Sequence, residues 1–175
     1  MKNNYVPPPQ HVSIANKTNR STGAIGPRAL VPRIFVKLFK PADDLQVLDY
    51  GAGADAMHTI YLRSLRYNVT AHEFGANITE MHDPNALGKQ YDIVIASNVL
   101  NVQSTEVMLM WSLKQICSVL KPGGQLLCNY PKEPRKLKLG VSCVKACLSS
   151  VFKGDIQDVG GRTYAPVMLV TKNDL

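Results

Sequence analysis

Short runs of consecutive apolar residues alternate along this chain with stretches in which apolar residues recur at helical spacing. The consecutive runs predict buried strands at 45–50, 69–74, 91–97 and 125–130. The helical spacings predict helices at 29–39, 54–66, 105–120 and 140–152. A last strand is expected near 164–171. Strands that alternate with helices indicate an α/β fold, in which a parallel sheet carries helices on both faces.

Two stretches have less regular patterning. Residues 1–27 are rich in Pro, Asn, Ser, Thr and Gly, and we interpret them as a basic N-terminal arm in which Pro7–Pro9 favour an extended backbone. Residues 75–90 leave little room for a full helix and strand.

Ser104 is the expected N-cap of the helix that follows it. The length of 175 residues fits one domain, which we place at 28–175.

The net charge of +7 is concentrated in two segments. Residues 1–40 carry +7 and residues 131–153 carry +5, whereas residues 41–130 carry −4. This distribution is compatible with solvated, flexible ends and also with an anionic partner such as nucleic acid.

The sequence also indicates several features that the protein is not expected to have. No apolar run is long enough to cross a membrane, so no membrane partner is expected. The N-terminus does not have the apolar core of a secretory signal, and a cytoplasmic location is expected (the host cytoplasm for a viral protein). The four cysteines lack the spacing of a zinc site, so we expect reduced thiols and no metal.

Candidate ligand-binding residues follow two of the predicted strands. In such sheets ligands bind beyond the carboxyl ends of the strands. Gly51 and Gly53 follow the first strand, and glycines let the backbone turn sharply and approach a ligand. Glu73 ends the next strand, where a carboxylate can bind the hydroxyls of a ribose. The alternatives are an ordinary turn and a solvated strand end. Phe74 either stacks on a base or packs in the core.

Four motifs together resemble those of class I S-adenosylmethionine (SAM)-dependent methyltransferases. They are Val-Leu-Asp-Tyr-Gly-Ala-Gly at 47–53, Glu73, Tyr-Asp-Ile-Val-Ile-Ala-Ser-Asn-Val-Leu at 91–100 and Leu-Lys-Pro-Gly-Gly at 120–124. Asn-Val-Leu-Asn-Val at 98–102 and Asn-Tyr-Pro-Lys-Glu-Pro-Arg-Lys at 129–136 are similar to short stand-alone phage-type members. The resemblance covers residues 45–130.

The resemblance implies a methyltransferase-like catalytic domain at 28–175. Its fold would be a three-layer αβα sandwich around a mostly parallel, seven-stranded Rossmann-like sheet with an antiparallel last strand. The implied cofactor is SAM. Gly51 and Gly53 would face its methionine part, Asp49 would help to hold the amino group, and Glu73 would bind the ribose. The full implied cofactor set is Asp49, Tyr50, Gly51, Gly53, Glu73, Phe74, Asp83, Ser97 and Asn98.

The chain departs from the family pattern at three places. Asp55 stands where a third glycine is usual, and the stretch around Asp83, which would contact adenine, is shortened. No Asp-Pro-Pro-Tyr follows the strand at 91–97. Its absence argues against the amino-methylating DNA enzymes, which use that motif to grip the target nitrogen.

Methyl transfer is an in-line displacement, so alignment and exclusion of water supply most of the rate. A base is needed only if the acceptor loses a proton. Asn98, Asn101 and Tyr130 are catalytic candidates by inferred position. His58 is a further candidate, although a packed or surface histidine is the favoured interpretation, and His72 is interpreted in the same way.

Basic residues are expected to border the cleft, because 131–138 leave a strand on the cleft side and the arm folds over that side in related enzymes. We therefore expect an anionic acceptor, possibly nucleic acid, although one Trp and seven Tyr indicate no obvious stacking platform. The predicted substrate rim comprises Arg20, Arg28, Arg33, Lys132, Arg135, Lys136 and Lys138.

Three other functions stay open. A methyltransferase-like fold can serve as a catalytically inactive binding or interaction module. A SAM-cleaving enzyme would need no acceptor. A dinucleotide-binding protein is the third, because Gly51-x-Gly53-x-x-Ala56 fits the NAD fingerprint, although Asp49 would place negative charge near the pyrophosphate. The oligomeric state is not predicted.

Overall fold

The computed structural model describes residues 8–20, 29–134 and 136–173. The helices are α1 (Pro9–Arg20), α2 (Leu30–Leu38), α3 (Met57–Ser64), α4 (Glu106–Val119) and α5 (Val141–Phe152). The strands are β1 (Gln46–Tyr50), β2 (Asn68–His72), β3 (Tyr91–Ala96), β4 (Leu120–Asn129), β5 (Lys153–Arg162) and β6 (Ala165–Lys172). Short 3₁₀ turns lie at Gly75–Asn77, Ala86–Gly88 and Leu100–Val102.

The strands form one mixed sheet in the order β2-β1-β3-β4-β6-β5. The pairs among β2, β1, β3 and β4 are parallel, and β6 is antiparallel to both of its neighbours. The α/β class and the antiparallel last strand are therefore confirmed. The described residues form six strands rather than the seven that the resemblance implies. Residues 75–90 were expected to leave little room for a full helix and strand, and they contain two single 3₁₀ turns.

Helices cover both faces of the sheet, as the alternation of side chains along each strand requires. Leu48 and Val94 pack in one core cluster with residues of α4 and α5. Val47 and Ile93 pack on the opposite face with residues of α2 and α3. The predicted three-layer sandwich is thus confirmed, and its parallel strands end at one common edge.

The N-terminal arm is partly helical. Its residues 9–20 form α1, whereas an extended backbone was expected around Pro7–Pro9. Pro9 is the first residue of the helix, where the missing N–H of proline costs nothing. The boundary predicted between 27 and 28 lies outside the described residues.

The N-cap of α4 is Thr105, one residue later than predicted. Thr105 Oγ1 accepts a hydrogen bond from the Met108 N–H at 3.2 Å. Ser104 Oγ is buried and has no hydrogen-bond partner in the described part of the chain.

These two hydroxyls give a matched stability test. Thr105→Ala should lower the free energy of unfolding by about 1 kcal/mol, because an orphan N–H of the first turn loses its acceptor. Ser104→Ala should leave it unchanged or slightly raised, since no bond is lost. Urea unfolding followed by circular dichroism measures both. Equal losses in the two variants would contradict the assignment of the cap.

Candidate functional site

The turn after β1 is held against the end of β2 by backbone hydrogen bonds. The N–H groups of Gly51 and Ala52 both donate to His72 O at 2.9 Å. Gly51 has φ +74°, and a Cβ there would lie 2.8 Å from Val99 Cγ2. The position therefore requires glycine for two reasons, its conformation and the close approach of Val99.

Glu73 connects the end of β2 to this turn through its carboxylate. Glu73 Oε2 accepts the Gly53 N–H at 2.6 Å, and Oε1 accepts the Phe74 N–H at 2.7 Å. Burial raises the pKa of Glu73, and these two N–H bonds oppose that rise. Each carboxylate oxygen has about two acceptor positions, so the group retains capacity for a ligand's hydroxyls.

Asp49 adds a second buried carboxylate beneath the same turn. It is 1% exposed and accepts a hydrogen bond from Thr59 Oγ1 at 2.8 Å. Burial raises its pKa, and the neighbouring His58 opposes this. Among the described residues, no lysine or arginine forms an ion pair with Asp49 or Glu73. The negative charge of the site is therefore neutralised only partly, by N–H and O–H donors.

His82 also contacts the turn after β1. No role was predicted for this residue from the sequence. Its Nδ1 accepts the Thr79 N–H at 3.0 Å. Nε2 must then carry the proton, and it donates to Gly53 O at 2.9 Å. Gly53 is thus fixed through both its N–H and its carbonyl. No local motif marks this contact, because it reaches a backbone atom from an irregular stretch.

A cavity opens beside the turn at the carboxyl edge of the sheet. It has an empty volume of about 470 Å³ including its open mouth. Gly51, Glu73 and Asn98 form its polar side. Gln103 and Ser112 also line it, and the other lining residues are apolar or aromatic, namely Val12, Ala15, Phe74, Val99, Val102, Met108 and Trp111.

Phe74 packs among aromatic side chains and also lines the cavity. Its ring packs edge-on against Tyr50, His72 and Trp111, with centroid separations of 5.3, 4.4 and 5.9 Å. It also lines the cavity. It forms part of an aromatic wall that a planar ring of a ligand can contact.

Asn98 and Asn129 are joined by two hydrogen bonds at the ends of β3 and β4. Asn129 Oδ1 accepts the Asn98 N–H at 2.7 Å, and Asn129 Nδ2 donates to Asn98 Oδ1 at 2.8 Å. Asn98 has φ +58°, a left-handed conformation that asparagine tolerates better than most residues. The pair fixes the side chain of Asn98 against the cavity.

Two polar atoms near this pair are buried without a hydrogen-bond partner in the residues that the structure describes. They are Ser97 Oγ and Asn101 Oδ1. A buried polar atom left unpaired costs about 1–3 kcal/mol, and such atoms are rare in native proteins. Their hydrogen-bonding capacity is therefore not used by any residue that the structure describes.

Seven predicted site residues do not line the cavity, namely Asp49, Tyr50, Gly53, Asp83, Ser97, Asn101 and Tyr130. Three of them, Tyr50, Tyr130 and Asp83, have side-chain partners elsewhere. Tyr50 lies in the core and donates its hydroxyl proton to Gln115 Oε1 at 2.7 Å. Tyr130 is 1% exposed and donates to Leu139 O at 2.9 Å, and burial raises its pKa to about 12. A phenol held in this way is not available as a base. Asp83 pairs with Lys89, whose hydrogen bond holds the pKa of Asp83 below its usual value.

The predicted substrate rim is described only in part. Arg33, Lys132, Lys136 and Lys138 are exposed. Arg33 Nε donates to Ala29 O at 3.3 Å. The side chain of Arg20, together with Arg28 and Arg135, lies outside what the structure describes. Within the described ranges, no cluster of side chains suits a metal ion and no helix is long and apolar enough to cross a membrane.

No protein-family model matches the chain, and no curated protein matches it in sequence. Solved structures do match its fold. A TehB-like SAM-dependent methyltransferase from Corynebacterium glutamicum superposes with a TM-score of 0.65 at 12% identity, over 94% of this chain and 100% of that one. The 1,6-didemethyltoxoflavin-N1-methyltransferase of Burkholderia thailandensis, solved with its substrate and S-adenosylhomocysteine, gives 0.62 at 16% identity, over 99% and 94%.

A third match is the T. thermophilus 16S rRNA N2 G1207 methyltransferase, solved with AdoMet and guanosine. Its TM-score is 0.61 at 18% identity, over 87% of this chain. This chain spans only 41% of the length of that enzyme. At these identities the likenesses show the fold alone, and that fold is the one of SAM-dependent methyltransferases.

The buried His72 makes stability depend on pH. Burial lowers its pKa from 6.5 to about 4, and its Nδ1 has no hydrogen-bond partner in the described ranges. Between these values the unfolded chain binds more protons than the folded one, so stability falls as the pH falls from 6.5 toward 4. The full contribution is on the order of 3 kcal/mol.

His72→Phe isolates this effect. Because phenylalanine does not titrate, the difference in unfolding free energy between variant and wild type should shift in favour of the variant as the pH falls from 7 to 4. Urea unfolding at several pH values measures it. A difference that stays constant with pH would show that His72 does not carry the effect.

Proposed function

We propose that the chain is a SAM-dependent methyltransferase whose cofactor occupies the cavity beside Gly51 and Glu73. The observation that carries this proposal is the pair of buried carboxylates, Asp49 and Glu73, at a glycine turn and without an ion-pair partner in the described ranges. Their mutual repulsion raises the pKa of Glu73 further. A positively charged ligand would reduce this repulsion between the two carboxylates. SAM carries two positively charged groups, a sulfonium and an ammonium.

The residues present fit the parts of this cofactor. The Gly51 backbone leaves room where a Cβ would meet Val99. Glu73 has free acceptor positions for the ribose hydroxyls, and Phe74 and Trp111 offer an aromatic wall for adenine. Asp49 lies beneath the turn, where its charge favours the ammonium group.

The same observations disfavour a dinucleotide. Two carboxylates at the turn repel a pyrophosphate. In addition, α3 begins only at Met57, so Gly53 does not lead directly into a helix N-terminus that would bind phosphate.

The chain's own contribution to the reaction would be orientation and exclusion of water. The bound cofactor supplies a methyl group on a good leaving group. Val12 and Ala15 of α1 cover the cavity, and the Asn98–Asn129 pair presents a fixed amide at its polar side. Alignment of this kind lowers the activation free energy of the reaction by up to about 7–11 kcal/mol. Of the predicted catalytic residues, Asn98 lines the cavity, which supports a role for it in binding the acceptor, whereas Asn101 does not line it.

We propose an anionic acceptor, with nucleic acid as the favoured class. Support comes from the +7 and +5 segments and from the exposed Lys132, Lys136 and Lys138 that follow β4 at the cavity edge. The structural neighbours act on ribosomal RNA in one case and on a small molecule in another.

An inactive binding module is the second candidate. It is favoured by Asp55 in place of the third glycine and by a carboxylate, Asp49, that is already bound to Thr59. Such a module would bind SAM weakly or not at all, so SAM affinity separates the two candidates.

Glu73→Gln tests the cofactor site. It removes the charge and places an NH₂ group opposite one backbone N–H, so SAM affinity should fall roughly tenfold to a hundredfold, the equivalent of a charge-assisted hydrogen bond. Glu80→Gln, the same change at an exposed glutamate, is the control and should bind as the wild type does. Isothermal titration with SAM measures both. Equal affinities in all three proteins would place the cofactor elsewhere.

Asn129→Asp tests the asparagine pair. The substitution keeps an acceptor for the Asn98 N–H but replaces the donor to Asn98 Oδ1, so the Asn98 amide must reorient. Methyl transfer from labelled SAM to single-stranded RNA should fall about tenfold or more, with unchanged SAM affinity. Asn68→Asp, at the opposite end of the strands, is the matched control. A loss of SAM affinity in Asn129→Asp without a loss in turnover would contradict a role toward the acceptor.

A further inference from the structure

An exposed tyrosine, Tyr164, lies at the tip of the β5–β6 hairpin with two cations near its ring. Arg162 pairs with Ala165 across the hairpin, so Thr163 and Tyr164 form its two-residue loop. The Tyr164 side chain is 46% exposed. Lys132 Nζ lies 5.4 Å and the Arg162 guanidinium carbon 5.8 Å from the centroid of its ring. Arg162 Nη1 also donates a hydrogen bond to the tyrosine hydroxyl.

This tip lies at the same edge of the sheet as the cavity. Because β6 is antiparallel to β4, the start of β6 meets the end of β4, and Val167 pairs with Asn129. Tyr164 precedes Val167 by three residues, which is about 10 Å of extended chain. Asn129 in turn bonds Asn98 at the cavity. Tyr164 therefore lies at the same edge of the sheet as the proposed acceptor entrance.

We propose that Tyr164, Lys132 and Arg162, here called the tyrosine platform, bind single-stranded nucleic acid next to the acceptor entrance. This proposal rests on the proposed methyltransferase function and specifies its substrate class. The ring of Tyr164 stacks on the base of a nucleotide that flanks the target. Lys132 and Arg162 contact the adjacent phosphates.

Three observations favour this occupant over a protein or a small molecule. An exposed aromatic ring with cations beside it is a combination that binds single strands, since every base has a π-face and every linkage a phosphate. The segment 131–153 adjoining the platform carries +5, with Glu133 as its one acidic residue. The platform is also too exposed to enclose a small ligand, because Lys132 has 64% of its side chain exposed.

The test is fluorescence anisotropy with a labelled 12-nucleotide single strand of mixed sequence, prepared as RNA and as DNA. Tyr164→Ala should weaken binding about fivefold to a hundredfold, the loss typical of one stacked base. Tyr164→Phe keeps the ring and should retain most of the affinity. Lys132→Gln and Arg162→Gln should each lower the slope of log K against log salt by about 0.7.

Lys40→Gln is the matched control for charge. Lys40 lies beside Asp44 and Asp92, at the opposite edge of the sheet, and its loss should leave the salt slope nearly unchanged. Comparison of the RNA and DNA arms identifies which nucleic acid is preferred. SAM affinity, measured on the same proteins by calorimetry, should be equal in all of them.

The outcomes separate the two proposals. Loss of single-strand binding in Tyr164→Ala with normal SAM binding supports both. Normal SAM binding with no affinity for either strand, or with equal affinity in wild type and Tyr164→Ala, overturns the tyrosine platform and leaves the methyltransferase function standing. Single-strand binding that depends on Tyr164 in a protein that does not bind SAM supports the platform and overturns the cofactor proposal.

Discussion

The candidate site depends on one contact, the hydrogen bond from the Gly53 N–H to the Glu73 carboxylate at 2.6 Å. It joins the turn after β1 to the end of β2, and the His72 carbonyl and His82 imidazole hold the same turn from either side. Because these bonds exist between protein groups, the glycine backbone and the carboxylate are in position before any ligand arrives. Binding then needs little further ordering of the chain, which favours affinity.

The electrostatics of the site follow from the same contact. Glu73 and Asp49 are both buried, and they accept hydrogen bonds from N–H and O–H groups without an ion pair to a lysine or arginine of the described residues. Outside the cavity the charge has the opposite sign, since the segments that flank the acidic middle of the chain are basic. A cationic cofactor inside and an anionic acceptor at the rim are the ligands that this arrangement favours. The two preferences are spatially separate and testable one at a time.

The parts of the fold that the sequence predicts are those with a strong local signal. The unbroken apolar run at 91–97 and the Gly51 turn both have one, and the structure places them as expected. The contact of His82 with Gly53 and the pairing of Lys132 with Tyr164 have none, because each depends on how distant segments meet. For Tyr130 a local signal existed but led to the wrong expectation. Its position at a strand end indicated a cleft residue, but its side chain turns into the core.

The most direct measurement is a calorimetric titration of the wild-type protein with SAM and S-adenosylhomocysteine, with NAD as the comparison. The account predicts saturable binding of both sulfur ligands and none of NAD, because the two buried carboxylates favour an ammonium group and repel a pyrophosphate. At 100 times the dissociation constant, SAM should also stabilise the fold by about 2.7 kcal/mol and raise the melting temperature. Binding of NAD in preference to SAM, or binding of none of the three, would contradict the account.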